Sequence, residues 1–419
     1  MRELDAVDPR LAGIVRAGDV VMWGQASAEP TVLTLPLMAQ RTEIGRFGAF
    51  IGISWSDAVQ PAFADCVSFM SYCGAGNNQK LARAGALEIL PSPYSTLGDL
   101  IRSGALQVDV LMLQLSPADA DGNYSLALAC DYLTPAIAKA RVVIAEINDQ
   151  APWTFGSHVL TADDIDFAIR TSRPPQLPPQ GKAQPAEAAI ARNVAGLIGD
   201  GATLQVGIGS LPEAILGQLS DRRDLGLHTG AMGDAAVALA RAGVLTNARK
   251  SIDAGASVAG VLMGSGILNA FAHRNPAVQM RSTDYIHSHP VLASIDRLVA
   301  INSAIEVDLT GQVNTEVANG IYVGAVGGGI DFMRGAQASR GGLSIIALPS
   351  RAGLGNISRI VARLDGPVSA ARSDAGIIVT EHGIADLRGL SLSRRVERMV
   401  SIAHPEMREQ LARDARQLR

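Results

Sequence analysis

The sequence predicts an α/β protein made of two similar open domains, and three observations carry that expectation. Buried strand-like runs alternate with helical segments along the chain, a turn–strand–loop–helix unit recurs at an offset of 183 residues, and a proline-rich stretch separates the two copies. With 419 residues the chain exceeds the roughly 250–300 at which one hydrophobic core stops growing. Each half is long enough to bury a core of its own. The 43 glycines beside 4% aromatics suit many tight strand-to-helix turns.

Taken in order, a short helical lead (Leu11–Ala17) precedes GDVVMWGQASAEPTVLTLPLMAQ, which reads as turn, buried strand, loop and a helix starting near Pro30. Further strands are expected at Ala49–Ser54, Cys66–Ser71, Val108–Leu115 and Val142–Ile147, with helical segments at Thr96–Ser103 and Pro135–Ala140. Strands alternating with helices predict a mainly parallel sheet. The stretch 173–185, RPPQLPPQGKAQP, holds five prolines and little that packs, so it is expected to link a domain 1–172 to a domain 186–419. The second half opens with a helix at Ala186–Ile198, followed by GATLQVGIGSLPEAILGQL, where Gly201, Gly207 and Ser210 fall on Gly18, Gly24 and Ser27 of the first unit. Strands at Leu298–Ile301, Leu343–Leu348 and Gly376–Thr380 follow. An amphipathic tail, Arg394–Leu418, is broken at Pro405.

Composition excludes several classes. A net charge of -4 without any basic run or basic–aromatic stripe argues against nucleic acid as a partner. Cys66, Cys73 and Cys130 form neither a disulfide framework nor a C-x-x-C pair and are expected to be reduced and mostly buried. The N-terminus is charged and nowhere do about 18 apolar residues run uninterrupted, so no membrane contact is expected and the cytoplasm is the default location. No G-x-S-x-G elbow is present. His287 and His289, at a spacing that suits one strand face, lack a nearby partner to complete a metal set, so no metal is expected.

The chemistry concentrates in residues 300–335, AINSAIEVDLTGQVNTEVANGIYVGAVGGGIDFMRG. Ile305, Val307 and Leu309 alternate with Glu306 and Asp308 before a turn at Thr310–Gly311, which places both carboxylates on one strand face. On pattern alone these are surface carboxylates. If that face borders a crevice, desolvation raises the carboxylate pKa while leaving the group usable as a nucleophile. The run Gly324–Phe332 lets backbone approach a ligand, but it lacks the Gly-Lys-Ser/Thr of a Walker loop and the strand-then-helix context of a dinucleotide fingerprint. GIGS at Gly207–Ser210 is likewise half a fingerprint. Glu381-His382-Gly383 follows a buried strand and precedes an expected helix at Ile384–Leu387, whose first N–H groups would face an anion.

Together, AINSAIEVDLTGQVNTE, GGGIDFMRGA, VTEHGIADLRGLSLSRR and IAHPEMREQL, supported by DADGNYSLALACDY and VGIGSLPEAIL, make this chain resemble the acetyl-CoA hydrolase/transferase family, which includes 4-hydroxybutyrate, butyrate and succinate CoA-transferases. The resemblance implies two similar open α/β domains of the class I CoA-transferase type with the active site between them. It implies a CoA-transferase that moves CoA between a short acyl-CoA and a small free carboxylic acid through acyl-glutamyl anhydride and glutamyl-CoA thioester intermediates. Glu306 would be the nucleophile and the Gly383 amide an oxyanion donor, with the loop around Gln25 to Glu29 second. Gly327, Gly328 and Gly329 would line the path of the CoA pantetheine. No permanently bound cofactor is implied, CoA being a substrate, and a homodimer is expected.

The chain departs from the family pattern at two places. It has HTGAMGDAA (His228–Ala236) where members often read H-T-E-M-F-S-D-G, and Gly329 where they often place glutamine. Both changes remove polar side chains from expected pocket segments and leave the acceptor acid open. An acyl-CoA hydrolase using the same glutamate, or a non-catalytic CoA-ester binding protein, are the alternatives.

Overall fold

The computed structural model describes residues 1–179, 181, 185–352 and 357–416, and its chain divides into two compact units. The first comprises Met1–Pro179 with Val258–Ile286 and Ile321–Gly327. The second comprises Gln180–Ser257, His287–Gly320 and Gly328–Arg419. Residues 173–179 of the expected linker have no regular structure, and residues 180 and 182–184 of it, like 417–418 of the tail, lie outside the described residues. Among the described residues no helix is long and apolar enough to cross a membrane.

The first unit is built on an eight-stranded sheet in which every neighbouring pair is parallel. Part of its order runs Phe167–Thr171, Val142–Asn148, Val110–Leu115, Val20–Trp23, Phe47–Ile51. Val110–Leu115 and Val142–Asn148 are buried at every position, as strands covered on both faces must be. Leu33 and Leu37 of the helix Thr31–Ala39 and Val21 and Trp23 of its preceding strand meet in one buried cluster. The expected lead helix at Leu11–Ala17 is a turn instead: Ile14 and Val15 donate N–H to Leu11 O, and Ala12 bridges Val15. Gly13, at φ 92°, turns the chain there before any second helical turn forms.

The second unit repeats this order. Ile377–Thr380, Leu343–Ala347, Leu298–Asn302, Thr203–Val206 and Gly226–Met232 are parallel neighbours in that sequence, corresponding one for one to the five strands named above. The offset of 183 carries Val20–Trp23 onto Thr203–Val206 end to end. Gly18 (φ 88°) and Gly201 (φ 68°) occupy the same left-handed turn before the strand, which explains why glycine recurs there. The helices differ: Ser210–Gly217 starts as the strand loop ends, whereas a short 3-10 turn, Ala26–Ala28, precedes Thr31–Ala39.

Two more expectations are corrected. Ile384–Leu387 is not a helix. Gly383–Asp386 is a strand that turns back antiparallel on Ile377–Thr380, with Thr380 opposite Gly383. Gly383 has φ 141°, a value that favours glycine and closes so tight a hairpin. The glycine run also has the helical context that its sequence hid, since Gly329–Ala338 is a helix with Gly328 at its N-cap. The tail follows expectation in forming two helices, Leu392–Ile402 and Pro405–Ala415, with the break at His404-Pro405.

Candidate active site

Glu306 lies on the middle strand of a small three-stranded sheet within the second unit, between Val313–Asn314 and Ile360–Val361. The hairpin exists because Asp308 caps its turn. Asp308 Oδ1 accepts from Thr310 N (2.8 Å), Thr310 Oγ1 (2.8 Å) and Gln312 N (3.0 Å), and Oδ2 accepts from Gln312 Nε2 (2.7 Å). Gly311 at φ 98° completes the turn. Val307 and Leu309 are buried beneath it. The two carboxylates therefore divide the work: Asp308 is buried and spent on the turn, whereas Glu306 is only half-buried.

The hairpin register sets Asn314 opposite Glu306, and Asn314 Nδ2 donates to Glu306 Oε1 at 3.0 Å. The N–H groups of Asp365 and Gly366, which follow the Ile360–Val361 strand, donate to the same oxygen at 2.9 and 3.0 Å. All three donors thus converge on Oε1. Among the described residues Oε2 receives none. Donors that converge on one oxygen of a carboxylate fix its orientation and leave the other oxygen without a bond from them.

The other sequence-predicted residues fall in separate places. Gly383 opens its hairpin in the second unit, beside Glu381, whose carboxylate accepts from Ser350 N at 2.9 Å and Ser350 Oγ at 2.6 Å. Burial acts to raise the Glu381 pKa, but the Ser350 donors outweigh it and hold the group below the usual range. Gly329 begins a helix of ten residues with Gly328 as its N-cap, and a side chain at Gly329 would meet Asn302 Oδ1 at 3.4 Å. Gly327, in the first unit, has φ 55° and its carbonyl accepts from Tyr94 N at 3.1 Å.

Gln25 and Glu29 follow the central strand of the first unit, with Ala26 between them in the left-handed region at φ 52°. Both side chains are buried in networks of that unit. Glu29 Oε1 accepts from Ser54 Oγ (2.7 Å) and Ser56 Oγ (3.2 Å), and Oε2 from Trp55 N and Ser56 N (both 2.9 Å). Gln25 Oε1 accepts from Tyr72 OH (2.7 Å) and Ile53 N (3.1 Å), and its Nε2 donates to Asp131 Oδ2 (2.6 Å). Burial pushes the Asp131 carboxyl up to about 6, with Gln25 only partly offsetting it. Gly52 leaves the room this network needs, since a Cβ there would lie 2.4 Å from Tyr132 Oη and 2.6 Å from Gln25 Cβ.

The histidine pair is not a strand face. His287 sits between two short helices, Thr283–Ile286 and His289–Ala293, buried against the Phe332 ring at 4.8 Å between centroids. Burial, with His228 nearby, takes its pKa down to about 3, so it is neutral at physiological pH. The cysteines are free thiols, Cys73 and Cys130 buried and Cys66 half-buried. Sequence reasoning missed the partners of Glu306. Asn314 was within reach, because a turn at Thr310–Gly311 pairs residues 306 and 314, but Asp365 and Gly366 lie 59 and 60 residues away.

Each unit carries five parallel neighbouring strands in matching order, and the family and relatives of the chain are those of an enzyme of the CoA-transferase kind. The chain belongs to the acetyl-CoA hydrolase/transferase family: the N-terminal domain of that family matches residues 7–173 and the C-terminal domain residues 264–415. It is 38% identical to the 4-hydroxybutyrate coenzyme A transferase of Clostridium kluyveri over 80% of this chain and 79% of that protein. It is 32% identical to the butyryl-CoA:acetate CoA-transferase of Anaerostipes caccae over 96% of this chain and 93% of the relative. The crystal structure of RipA from Yersinia pestis superposes with a TM-score of 0.94 at 32% identity, covering 99% of this chain and 97% of that one.

Proposed function

We propose that this enzyme moves CoA between a short acyl-CoA and a free carboxylate, with Glu306 as the covalent nucleophile. The observation that carries the reading is the one-sided environment of the Glu306 carboxylate, three donors on Oε1 and none among the described residues on Oε2. Oε2 attacks the thioester carbonyl carbon, whose π electrons move to its oxygen. Collapse expels CoA thiolate and leaves an acyl-glutamyl anhydride. The thiolate sulfur then attacks Glu306 Cδ, the Cδ–Oε2 bond breaks, and the acyl group leaves as the free acid, with glutamyl-CoA thioester behind it. An incoming carboxylate reverses the sequence, so the kinetics are ping-pong.

The thioester's energy is retained in each covalent state, and every step is an acyl transfer between oxygen and sulfur. In this reading the Gly383 amide donates to the substrate oxyanion, a contribution worth about 3–4 kcal/mol when such a donor is well placed. Gly328 and Gly329 border the pantetheine, where an absent side chain gives room for a narrow chain. The names of the relatives support an acyl-CoA and a carboxylate as the substrate classes.

The test is to incubate butyryl-CoA with the enzyme, with and without acetate, and follow free thiol against acetyl-CoA. The reading predicts acetyl-CoA in step with acetate and no sustained thiol release without it. Thiol release independent of acetate identifies a hydrolase and overturns the transferase assignment.

A further inference from the structure

We propose that Arg359, with Arg351 and His382 beside it, forms a binding site for the carboxylate of the acid substrate. The inference rests on a carboxylic acid being a substrate, and it stands whichever group attacks the thioester. Three buried nitrogens carry it. Arg351 Nε, Arg359 Nε and His382 Nε2 are each buried and have no hydrogen-bond partner among the described residues. A buried polar atom without a partner is costly, and native proteins keep few of them unless a ligand, ion or water completes the bond.

Local pairing brings the three together. Arg351 lies opposite Ser358 in a short antiparallel hairpin, and the next residue, Arg359, donates its N–H to Ser350 O at 2.9 Å. Ser350 in turn holds Glu381, whose carboxylate accepts from Ser350 N at 2.9 Å and Ser350 Oγ at 2.6 Å. That carboxylate is therefore already engaged. His382 Nε2 stands 3.5 Å from Glu381 Oε1 without forming a hydrogen bond. Arg351 spends Nη2 on Glu406, which leaves its Nε unbonded. The Arg359 side chain makes no ion pair or hydrogen bond among the described residues. Burial pulls its pKa down, and Glu381 offsets that only in part.

Charge decides the class of ligand. Three guanidinium groups, Arg351, Arg359 and Arg408, stand against two carboxylates, Glu381 and Glu406, around an imidazole, His382, that burial keeps below its ordinary pKa. One cation is left over, and one monoanion balances it. The fork of Arg359 offers Nε and a terminal nitrogen side by side, the geometry in which a carboxylate accepts two parallel bonds. The position agrees with the substrate. Arg359 O accepts from Val307 N at 2.8 Å, so the arginine adjoins the strand that carries Glu306, while His382 is the residue before Gly383.

Binding can be read without turnover. The intact enzyme is titrated with acetate and with butyrate while the imidazole resonances of His382, assigned by their loss in His382→Gln, are followed against pH. Saturable binding is expected, and His382, which otherwise feels Glu381, His404, Arg408 and Arg351, should rise in pKa beside the added negative charge. Arg359→Gln should weaken acetate binding about 10–100-fold, and Arg359→Lys, which keeps the charge and loses the fork, by a factor in between. In steady state both variants should raise KM for acetate and leave KM for butyryl-CoA within about twofold. Acetate that leaves His382 unmoved in the unaltered enzyme overturns the inference. Equal losses for acetate and acyl-CoA in both variants mark a structural arginine and overturn it too, and inorganic phosphate binding there where acetate does not overturns the carboxylate assignment. Acetate binding that depends on Arg359 in a protein that transfers no CoA supports the site and removes the transferase reading.

Discussion

Glu306 and Asn314 face each other across a hairpin, the amide nitrogen of Asn314 3.0 Å from Oε1 of the glutamate. The contact orients a half-buried carboxylate that the strand pattern alone would leave to solvent. Glu306→Gln keeps an oxygen for the three donors and replaces the other with a nitrogen that cannot form the anhydride. Turnover is expected to fall by at least about 10³-fold, as for loss of a covalent nucleophile, with a melting temperature close to that of the parent. Steady-state kinetics and thermal unfolding on one preparation check both halves of this expectation.

Gly366→Ala tests the Glu306–Asn314 contact from its other side. The added methyl would lie 2.2 Å from Asn314 Nδ2 and 2.8 Å from its Cγ, and Asn314 has nowhere to retreat because its Oδ1 is held by two backbone N–H groups. Overpacking of this kind costs about 1–3 kcal/mol. The variant should melt lower than the parent and show a reduced kcat, measured at a temperature where it is fully folded.

Glu29 is expected to act on stability. Removing its carboxylate by Glu29→Ala leaves Trp55 N and Ser56 N without their acceptor in a buried site, and each such loss costs about 1–3 kcal/mol. Glu29→Gln should cost less, since its amide oxygen can serve those two N–H groups while the Ser54 and Ser56 hydroxyls rotate to accept from its nitrogen. Denaturant unfolding should therefore rank parent, Glu29→Gln and Glu29→Ala in falling stability.

Asp131 adds a pH dependence. Its carboxyl rises from the ordinary 3.8 to about 6 because burial disfavours the charged form. A folded-state pKa above the unfolded value contributes stability that is fully present below pH 3.8 and is lost as pH rises through about 6. The shift corresponds to about 3 kcal/mol across that window. Asp131→Asn removes the titration, at a constant cost from the amide's mismatch with Gln25 or Leu133 N. Melting temperatures of parent and variant between pH 4 and pH 7 should converge as the pH rises, because only the parent loses this contribution.

Much of the fold was legible because it is carried by apolar runs. Val110–Leu115 and Val142–Asn148 are buried on both faces, and their sequences could hardly form anything but interior strands. The repeat was legible through Gly18 and Gly201, whose positive φ leaves glycine favoured at both turns. What failed was local and short. Ile384–Leu387 suits a helix by composition, but the two-residue turn at Glu381-His382 sends the chain back along the sheet, a pairing decided by tertiary contact. Gly329–Ala338 became a helix despite a glycine start, because burial of Ile330, Phe332 and Met333 outweighs weak propensity. Glu306 could be named from its motif. Its environment could not, since Asp365 and Gly366 come from a distant segment and donate through backbone that carries no side-chain signature.

As the nucleophile, Glu306 becomes covalently bound to CoA during turnover. The most direct measurement mixes the enzyme with acetyl-CoA, adds borohydride to reduce any glutamyl thioester, and maps the digested protein by mass. Reduction of the Glu306 side chain to its alcohol is expected, dependent on acetyl-CoA and absent from Glu306→Gln. An enzyme that turns over acetyl-CoA yet yields an unmodified Glu306 peptide would contradict it.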